Sequence, residues 1–289
     1  MATISLLHSW SLPPLVTMTL VSSAICYLRG WWIVRGADKS LLSSWRASAF
    51  VSGLGAVWIA LASPLDAFNE LLLTAHMLQH MLLMMVAPPL ILLGAPLIPI
   101  VRGLPGVVVR RSIGSLLNWP PVERIGHGLA NPIAGALAMG FVMFIWHTPS
   151  LYESALRSES WHEVEHASFF LASLMFWWPV LLPWPSRGQW PRWAMVPYLL
   201  VADLQNTALS AILAFSDRVL YRSYAEAPRL FGMSALQDQV AAGAFMWVAG
   251  SVAFILPAIG VAVQCLSTRS TRAAIAAAAT AGRGILSGS

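Results

Sequence analysis

The sequence predicts an all-α, polytopic membrane protein that forms a bundle of about seven transmembrane helices. Of its 289 residues, 57% are hydrophobic and only 10% are charged, which leaves too few polar side chains to cover a water-soluble globule of this size. Runs of about 20 apolar residues, the length that crosses a hydrocarbon core of about 30 Å as a helix, recur along the chain. These runs are apolar on every side, whereas the strands of an outer-membrane barrel alternate.

The apolar runs predict seven spans, separated by short clusters of Arg, Pro and Gly. The spans are predicted at about residues 13–34, 47–63, 71–101, 130–148, 163–184, 193–215 and 238–263. The third run exceeds one bilayer thickness and contains Pro88, Pro89 and Pro96, so we expect it to kink or end near Gly94. The predicted domains are a seven-helix transmembrane domain over residues 1–268 and a disordered cytoplasmic tail over residues 269–289, which is rich in Ala, Gly, Ser and Thr.

The basic residues predict the orientation of the chain in a bacterial inner membrane. Thirteen of the 17 flank loops on one side, which the positive-inside rule makes cytoplasmic. The amino terminus is then outside and the carboxyl terminus is cytoplasmic. Because these residues lie beside membrane spans instead of forming one patch, they predict no nucleic-acid partner. The opposite loops carry six acidic residues and suit a cation: Asp66, Glu70, Glu153, Glu159, Asp217 and Glu226.

Five histidines are predicted to meet near the outer surface of the membrane. A coordinating side chain inside a span is costly and indicates a functional site. His76 and His80 are four residues apart on one face of the third span, His147 ends the fourth, and His162 and His166 begin the fifth. Five imidazoles exceed what one ion needs, so one metal with a relay, or two metals, would fit. His8 and His127 are interpreted as lying outside this site.

Ligand softness predicts copper as the metal, and Cu(I) in particular. Imidazole with thioether suits copper, whereas zinc seldom uses Met, and no intramembrane cluster of carboxylates offers magnesium or calcium a hard site. Asp203 either hydrogen-bonds a ligand imidazole, relays a proton or pairs structurally with a Ser or Trp, and Asp238 is equally plausible as a helix N-cap. The candidate supporting residues are Met84, Met139, Met143, Asp203, Asp238 and Met246.

Two other functions compete with a copper site. Residues 162–166 read His-Glu-Val-Glu-His and satisfy the H-E-x-x-H pattern of zinc peptidases, with Glu163 as the general base. That interpretation predicts an intramembrane zinc metalloprotease, and it leaves His76, His80 and His147 unexplained. A haem-binding membrane protein is the second alternative, with imidazoles from facing helices as axial ligands. A retinal protein is excluded because the one lysine, Lys39, lies in the first loop.

Several short motifs together resemble the seven-helix CtaG-type cytochrome c oxidase assembly proteins of bacterial inner membranes. The resemblance covers most of residues 45–265. The motifs are His76-Met-Leu-Gln79-His80 with Ala87-Pro-Pro-Leu and Gly94-Ala-Pro96, Trp146-His147-Thr-Pro149 with Tyr152, His162-x-x-x-His166, Trp177-Trp178-Pro179, and Asp238-Gln239 with Met246-Trp247. An unrelated single-span copper chaperone shares the name but uses a Cys-based motif, and this chain has only Cys26 and Cys265.

The resemblance implies a role without catalysis, in maturing a copper-containing terminal oxidase. It implies that the protein holds or passes copper at the outer face of the membrane. The partners that it implies are cytochrome c oxidase subunits and periplasmic copper donors.

Overall fold

The computed structural model of the chain describes residues 9–37, 42–106, 130–182 and 188–286, with residues 109 and 128, and side chains as far as Ser267. Over these ranges the chain is helical and contains no strand. The predicted fold class, an all-α polytopic membrane protein, is therefore confirmed. His8, Lys39 and His127 lie outside the described residues.

Twelve α-helices, labelled in chain order, account for most of the described chain. A π-helical segment, Leu82–Val86, joins α4 to α5, and a 3₁₀ turn, Arg192–Ala194, leads into α10. The helices are α1 Pro14–Ala37, α2 Ser44–Ala62, α3 Pro64–Phe68, α4 Leu73–Met81, α5 Ala87–Leu93, α6 Leu97–Gly103, α7 Pro132–Trp146, α8 Pro149–Arg157, α9 Glu159–Leu181, α10 Met195–Phe215, α11 Arg222–Glu226 and α12 Ala235–Leu286.

Within the part of the chain that the structure describes, five helical segments are long and apolar enough to cross a membrane. They are 44–68, 73–93, 159–181, 192–215 and 235–267, and α7 with α8 makes a sixth if that pair, bent by 77°, is one span. The first predicted span corresponds to α1, which has 24 residues but is not among these segments. The number seven therefore stays a prediction. The backbone of α12 continues to Leu286, past residue 268 where the predicted transmembrane domain ends, and the division of the chain there also stays a prediction.

The third predicted span bends and ends where its prolines predict. Pro88 has no N–H to donate to the carbonyl of Met84, four residues earlier. The Met84 carbonyl instead accepts hydrogen bonds from the Ser173 hydroxyl and, at 3.1 Å, from the Trp177 indole on α9. The Met84 carbonyl, one turn after His80 in the π-helical segment, is therefore satisfied by the neighbouring helix α9. The helix then ends at Leu93, with Gly94 as its C-cap.

Close backbone contact fixes α1 against α6. A Cβ atom placed on Gly103 would lie 1.7 Å from the Cys26 carbonyl oxygen, and one on Gly30 would lie 1.7 Å from that of Pro99. Arg29 also donates to the Gly103 carbonyl, at 3.0 Å. Small residues at such crossings let helix backbones approach closely, which is how helices associate in lipid, where apolar burial contributes little.

The helices enclose two apolar cores. The larger contains buried residues of α4, α7, α9, α10 and α12, and the smaller contains residues of α1, α2 and α5. The first turns of α4, α9 and α12 and the last turns of α7 and α10 meet at one end of the bundle, where the short helices α3, α8 and α11 also lie. Polar side chains from these helix ends face one another above the larger core.

Candidate metal centre

Two histidine pairs face each other across α4 and α9. Residues four apart on a helix share a face, and the ring centroids are 4.3 Å apart for His76 and His80 and 4.1 Å apart for His162 and His166. Between the helices, the centroids are 5.4 Å apart both for His76 and His162 and for His80 and His166. His76, His80 and His166 are buried, and His162 is partly exposed. Four of the five predicted imidazoles therefore surround one small volume.

Glu165 enters this volume from α9, and sequence reasoning did not select it. Its side chain is fully buried. Its Oε1 lies 3.8 Å from Nε2 of His76 and 3.7 Å from Nε2 of His80, beyond hydrogen-bond length. Helical spacing could have found it, because a residue three positions after His162 lies on the same helix face. Glu163, the general base of the H-E-x-x-H interpretation, is exposed on another face.

The hydrogen bonds of Tyr224 determine which nitrogen of His76 carries the proton. The Tyr224 hydroxyl donates to the Asn69 carbonyl at 2.6 Å and lies 3.2 Å from Nδ1 of His76. Burial raises the pKa of Tyr224 well above its ordinary value, so the phenol keeps its one proton. Because that proton goes to Asn69, Nδ1 of His76 must be the donor to the tyrosine oxygen. The lone pair of His76 is then on Nε2, the nitrogen that faces Glu165.

His147 has the same tautomer for a similar reason. It follows the last residue of α7, at the bend between α7 and α8. Its Nδ1 lies 2.7 Å from the Met143 carbonyl oxygen, which can only accept, so Nδ1 is protonated and Nε2 holds the lone pair. Its ring centroid is 6.5 Å from that of Phe169, which is 4.6 Å from His80. His147 therefore lies at the edge of the cluster, near Phe169.

Not all of these groups fit around one ion. The ligand atoms of His76, His80 and Glu165 lie within 4.8 Å of one another, the one group of three or more potential ligands that does so among the described residues. His162, His166 and His147 extend beyond it, and the centroids of His76 and His166 are 6.4 Å apart. We call His76, His80 and Glu165 the inner group and His147, His162 and His166 the outer group.

Asp238 supports the cluster indirectly by holding the start of α4. Its carboxylate accepts from the backbone N–H groups of Leu73, at 2.6 Å, and Thr74, at 3.2 Å, and from the Thr74 hydroxyl, at 2.7 Å. It therefore caps α4 instead of its own helix. Since His76 and His80 are on α4, Asp238 positions both rings without touching them.

The other predicted supporting residues lie in the packed helix core. Met84, Met139, Met143 and Met246 are buried in the larger apolar core. Asp203 accepts a hydrogen bond from Ser251 at 2.8 Å, which is the structural pairing considered among its predicted roles. The structure brings none of these five side chains into hydrogen-bond contact with the histidines, since Met143 contacts His147 only through its backbone carbonyl. Any ligand role for the thioethers stays a prediction.

Comparison with known proteins identifies the family. A family model described as "Cytochrome c oxidase caa3 assembly factor (Caa3_CtaG)" matches residues 25–268. The chain belongs to the Caa3_CtaG family. This confirms the predicted resemblance, and the matched range contains all five clustered histidines and Glu165.

Curated relatives of this Caa3_CtaG chain are longer proteins. The uncharacterized protein ML1998 of Mycobacterium leprae is 24% identical over 88% of this chain, which spans 39% of that protein. The uncharacterized proteins Mb0105 of Mycobacterium bovis and MT0111 of Mycobacterium tuberculosis are each 28% identical over 62% of this chain, which spans 28% of each. No solved structure matches the chain.

Proposed function

We propose that this protein serves the assembly of a haem-copper cytochrome c oxidase by holding copper in the histidine cluster and passing it on, without catalysing a reaction itself. Its membership of a family of cytochrome c oxidase assembly factors supports the role in oxidase assembly. The arrangement of the cluster supports the binding of a metal ion. The proposed partners are oxidase subunits and periplasmic copper donors, as the resemblance implies.

The observation that carries the proposal is the concentration of unpartnered polar atoms in the cluster. Twelve buried side-chain nitrogen and oxygen atoms have no hydrogen-bond partner among the described residues, and eight of them belong to the five histidines and Glu165. An unsatisfied buried polar atom costs about 1 to 3 kcal/mol. A metal ion would bind the lone pairs of these atoms and remove that cost, so the donor set fits a metal.

The nitrogen-rich donor set favours copper over the alternatives. Imidazole binds both copper and zinc, and a copper-containing oxidase is the product that the assembly family serves. Zinc peptidase chemistry with Glu163 as general base is not supported, because that carboxylate is exposed and points away from the cluster. Haem is less well supported, because its two axial ligands approach the iron from opposite sides, whereas these imidazoles lie in pairs four residues apart on one helix face.

Metal analysis of the purified, detergent-solubilised protein tests the proposal. We expect bound copper, and we expect His76→Gln and His80→Gln each to lower it while the folded protein is retained, because Gln keeps much of the volume and hydrogen-bonding capacity of His but is a poor ligand for a soft metal. Cells carrying these variants should assemble an oxidase short of copper unless excess copper is supplied. Full copper occupancy in the doubly substituted protein would return both residues to a structural role. Zinc with proteolysis, or a Soret band, would support a rival.

The proposed role requires the cluster to face the outside of the cell. The distribution of basic residues supports that orientation. A topology reporter fused after Ser267 should be cytoplasmic, and one inserted near Ser158, one residue before α9, should be external. The reversed pattern would place the histidines at the inner face and remove the case for copper from the periplasm.

A further inference from the structure

The cluster offers more ligand atoms than one ion accepts. The Nε2 atoms of the five histidines and the two oxygens of Glu165 are seven buried atoms without a hydrogen-bond partner. A tetrahedral ion takes about four ligands at roughly 2.0 to 2.2 Å. One ion would therefore leave about three of these atoms buried and unsatisfied. The Nε2 atoms of His76 and His147 cannot be satisfied by donating a hydrogen bond, since both carry a lone pair rather than a proton.

The distances between the ligand atoms, like their number, indicate two ions rather than one. Ligands of one ion at these bond lengths lie within about 4.4 Å of one another. The inner group, His76, His80 and Glu165, comes close to this limit, since its ligand atoms lie within 4.8 Å of one another. His162 and His166 face it as a second pair on one helix turn, with ring centroids 4.1 Å apart. Glu165 lies between His162 and His166 on the same face of α9, and its Oε1 lies 3.8 Å and 3.7 Å from the Nε2 atoms of His76 and His80 in the facing pair.

We infer that the cluster is a two-ion centre in which the Glu165 carboxylate bridges the ions. The inner ion is held by His76 and His80, and the outer ion by His162 and His166, while His147 lies at the edge of the cluster. This inference rests on the proposed function and extends it to two coppers per chain. Two-metal sites in proteins hold their ions about 3.5 to 4 Å apart, which suits pairs whose ring centroids are 5.4 Å apart.

The charge of the cluster selects the oxidation state of the two ions. Glu165 is the one carboxylate with an oxygen within 4.0 Å of a cluster nitrogen among the described residues. Two Cu(I) ions with one carboxylate carry a net charge of +1, whereas two divalent ions would carry +3. Since uncompensated charge inside a membrane is costly, the centre favours two monovalent coppers over a pair of zinc or Cu(II) ions.

Copper stoichiometry in the full chain tests this inference. The apoprotein, purified in detergent, is loaded anaerobically with Cu(I) alone, freed of unbound metal and analysed for copper per chain. We expect two coppers in the wild type. We expect one in His76→Gln/His80→Gln and one in His162→Gln/His166→Gln, because each double variant removes one pair and leaves the other. X-ray absorption of the loaded wild type should contain a copper scatterer at about 3.5 to 4 Å.

Glu165→Gln and Glu163→Gln form a matched pair that tests the bridge. Both substitutions remove one carboxylate from the same turn of α9, but only Glu165 is buried beside the histidines. Glu165→Gln should weaken the second copper-binding step at least tenfold, and Glu163→Gln should leave both steps unchanged. Saturation of the wild type at one copper overturns the two-ion centre and leaves the proposed function standing. Binding of no copper overturns both.

Discussion

Gln79 and His80 are neighbours on α4, and both are buried, yet their polar atoms have opposite environments. The Gln79 amide donates to the Ala60 carbonyl at 2.8 Å and to the Asp66 carboxylate at 2.9 Å, and it accepts from Asn69 at 2.9 Å. His80 has no partner for either ring nitrogen. The two side chains point to different faces of one helix turn. Their hydrogen bonding therefore differs because their neighbours differ, and not because one is more buried than the other.

The two buried acids differ in the same way. Asp238 accepts three hydrogen bonds at the start of α4, whereas both oxygens of Glu165 have none. Buried polar groups in proteins are nearly always hydrogen-bonded, so a partnered group contributes to the fold and a cluster without partners points to a ligand. Substitutions at the partnered residues should therefore lower the stability of the apoprotein, and substitutions in the cluster should lower copper binding instead.

The largest loss of stability is expected from Asp238→Ala. It leaves two backbone N–H groups and the Thr74 hydroxyl at the start of α4 without their acceptor. Hydrogen bonds to a charged group contribute about 1.5 to 3 kcal/mol each, so we expect the loss of all three to cost at least about 4.5 kcal/mol. Thermal unfolding of the purified apoprotein measures it, with Asp238→Asn, which keeps one acceptor oxygen, as the intermediate case. An unchanged melting temperature would contradict the capping role.

Gln79→Leu should cost less, about 2 kcal/mol, because it leaves the Ala60 carbonyl without its side-chain donor and removes one of the two acceptors of the Asn69 amide, which keeps Asp66. Copper bound per folded chain should stay at the wild-type value. Thermal unfolding and metal analysis of the same preparation measure the two quantities. If copper fell in proportion to His80→Gln, the two neighbours on α4 would not have separate roles.

Tyr224→Phe should lower both the stability of the apoprotein and its affinity for copper by a small amount. The hydroxyl holds Asn69 and fixes the tautomer of His76, so its loss should cost about 1 kcal/mol of stability. Groups that orient a metal ligand typically change affinity 10- to 100-fold, and we expect copper affinity to fall by about tenfold. Tyr221→Phe is the matched control, since its hydroxyl contacts the His147 carbonyl and not an imidazole. Equal copper affinities in the two variants would contradict the role of Tyr224.

The smallest change in apoprotein stability, and the one of opposite sign, is expected from Glu165→Gln. A neutral amide in place of a buried, unpartnered carboxylate should raise the melting temperature of the apoprotein slightly, by the equivalent of about 1 kcal/mol. Copper loading should stabilise the wild type more than the variant, since ligand binding adds to stability only where the ligand binds. A destabilised Glu165→Gln apoprotein would mean that the carboxylate has a structural partner.

The sequence by itself determined that lipid surrounds this protein and which residues form most of the histidine cluster. Composition and run length require lipid-facing helices whatever their packing, and Pro96 lacks the N–H group that would continue the third helix past Gly94. The histidine pairs could be found because spacing of four residues places two side chains on one face of any helix. The number of spans could not be settled in this way, because α1 has 24 residues yet is not among the segments that are apolar enough to cross, and α7 with α8 is one span only if the bent pair is counted together.

Only the tertiary structure decided which neighbours each polar side chain meets. Glu163 and Glu165 are both glutamates and lie two residues apart, and the packing of the helices around α9 buries one and leaves the other exposed. Asp238 and Leu73 are 165 residues apart, and no local pattern predicts that one caps the helix of the other. Hydrogen bonds and buried carboxylates depend on distances of a few ångströms between helices, and those distances follow from how whole helices pack.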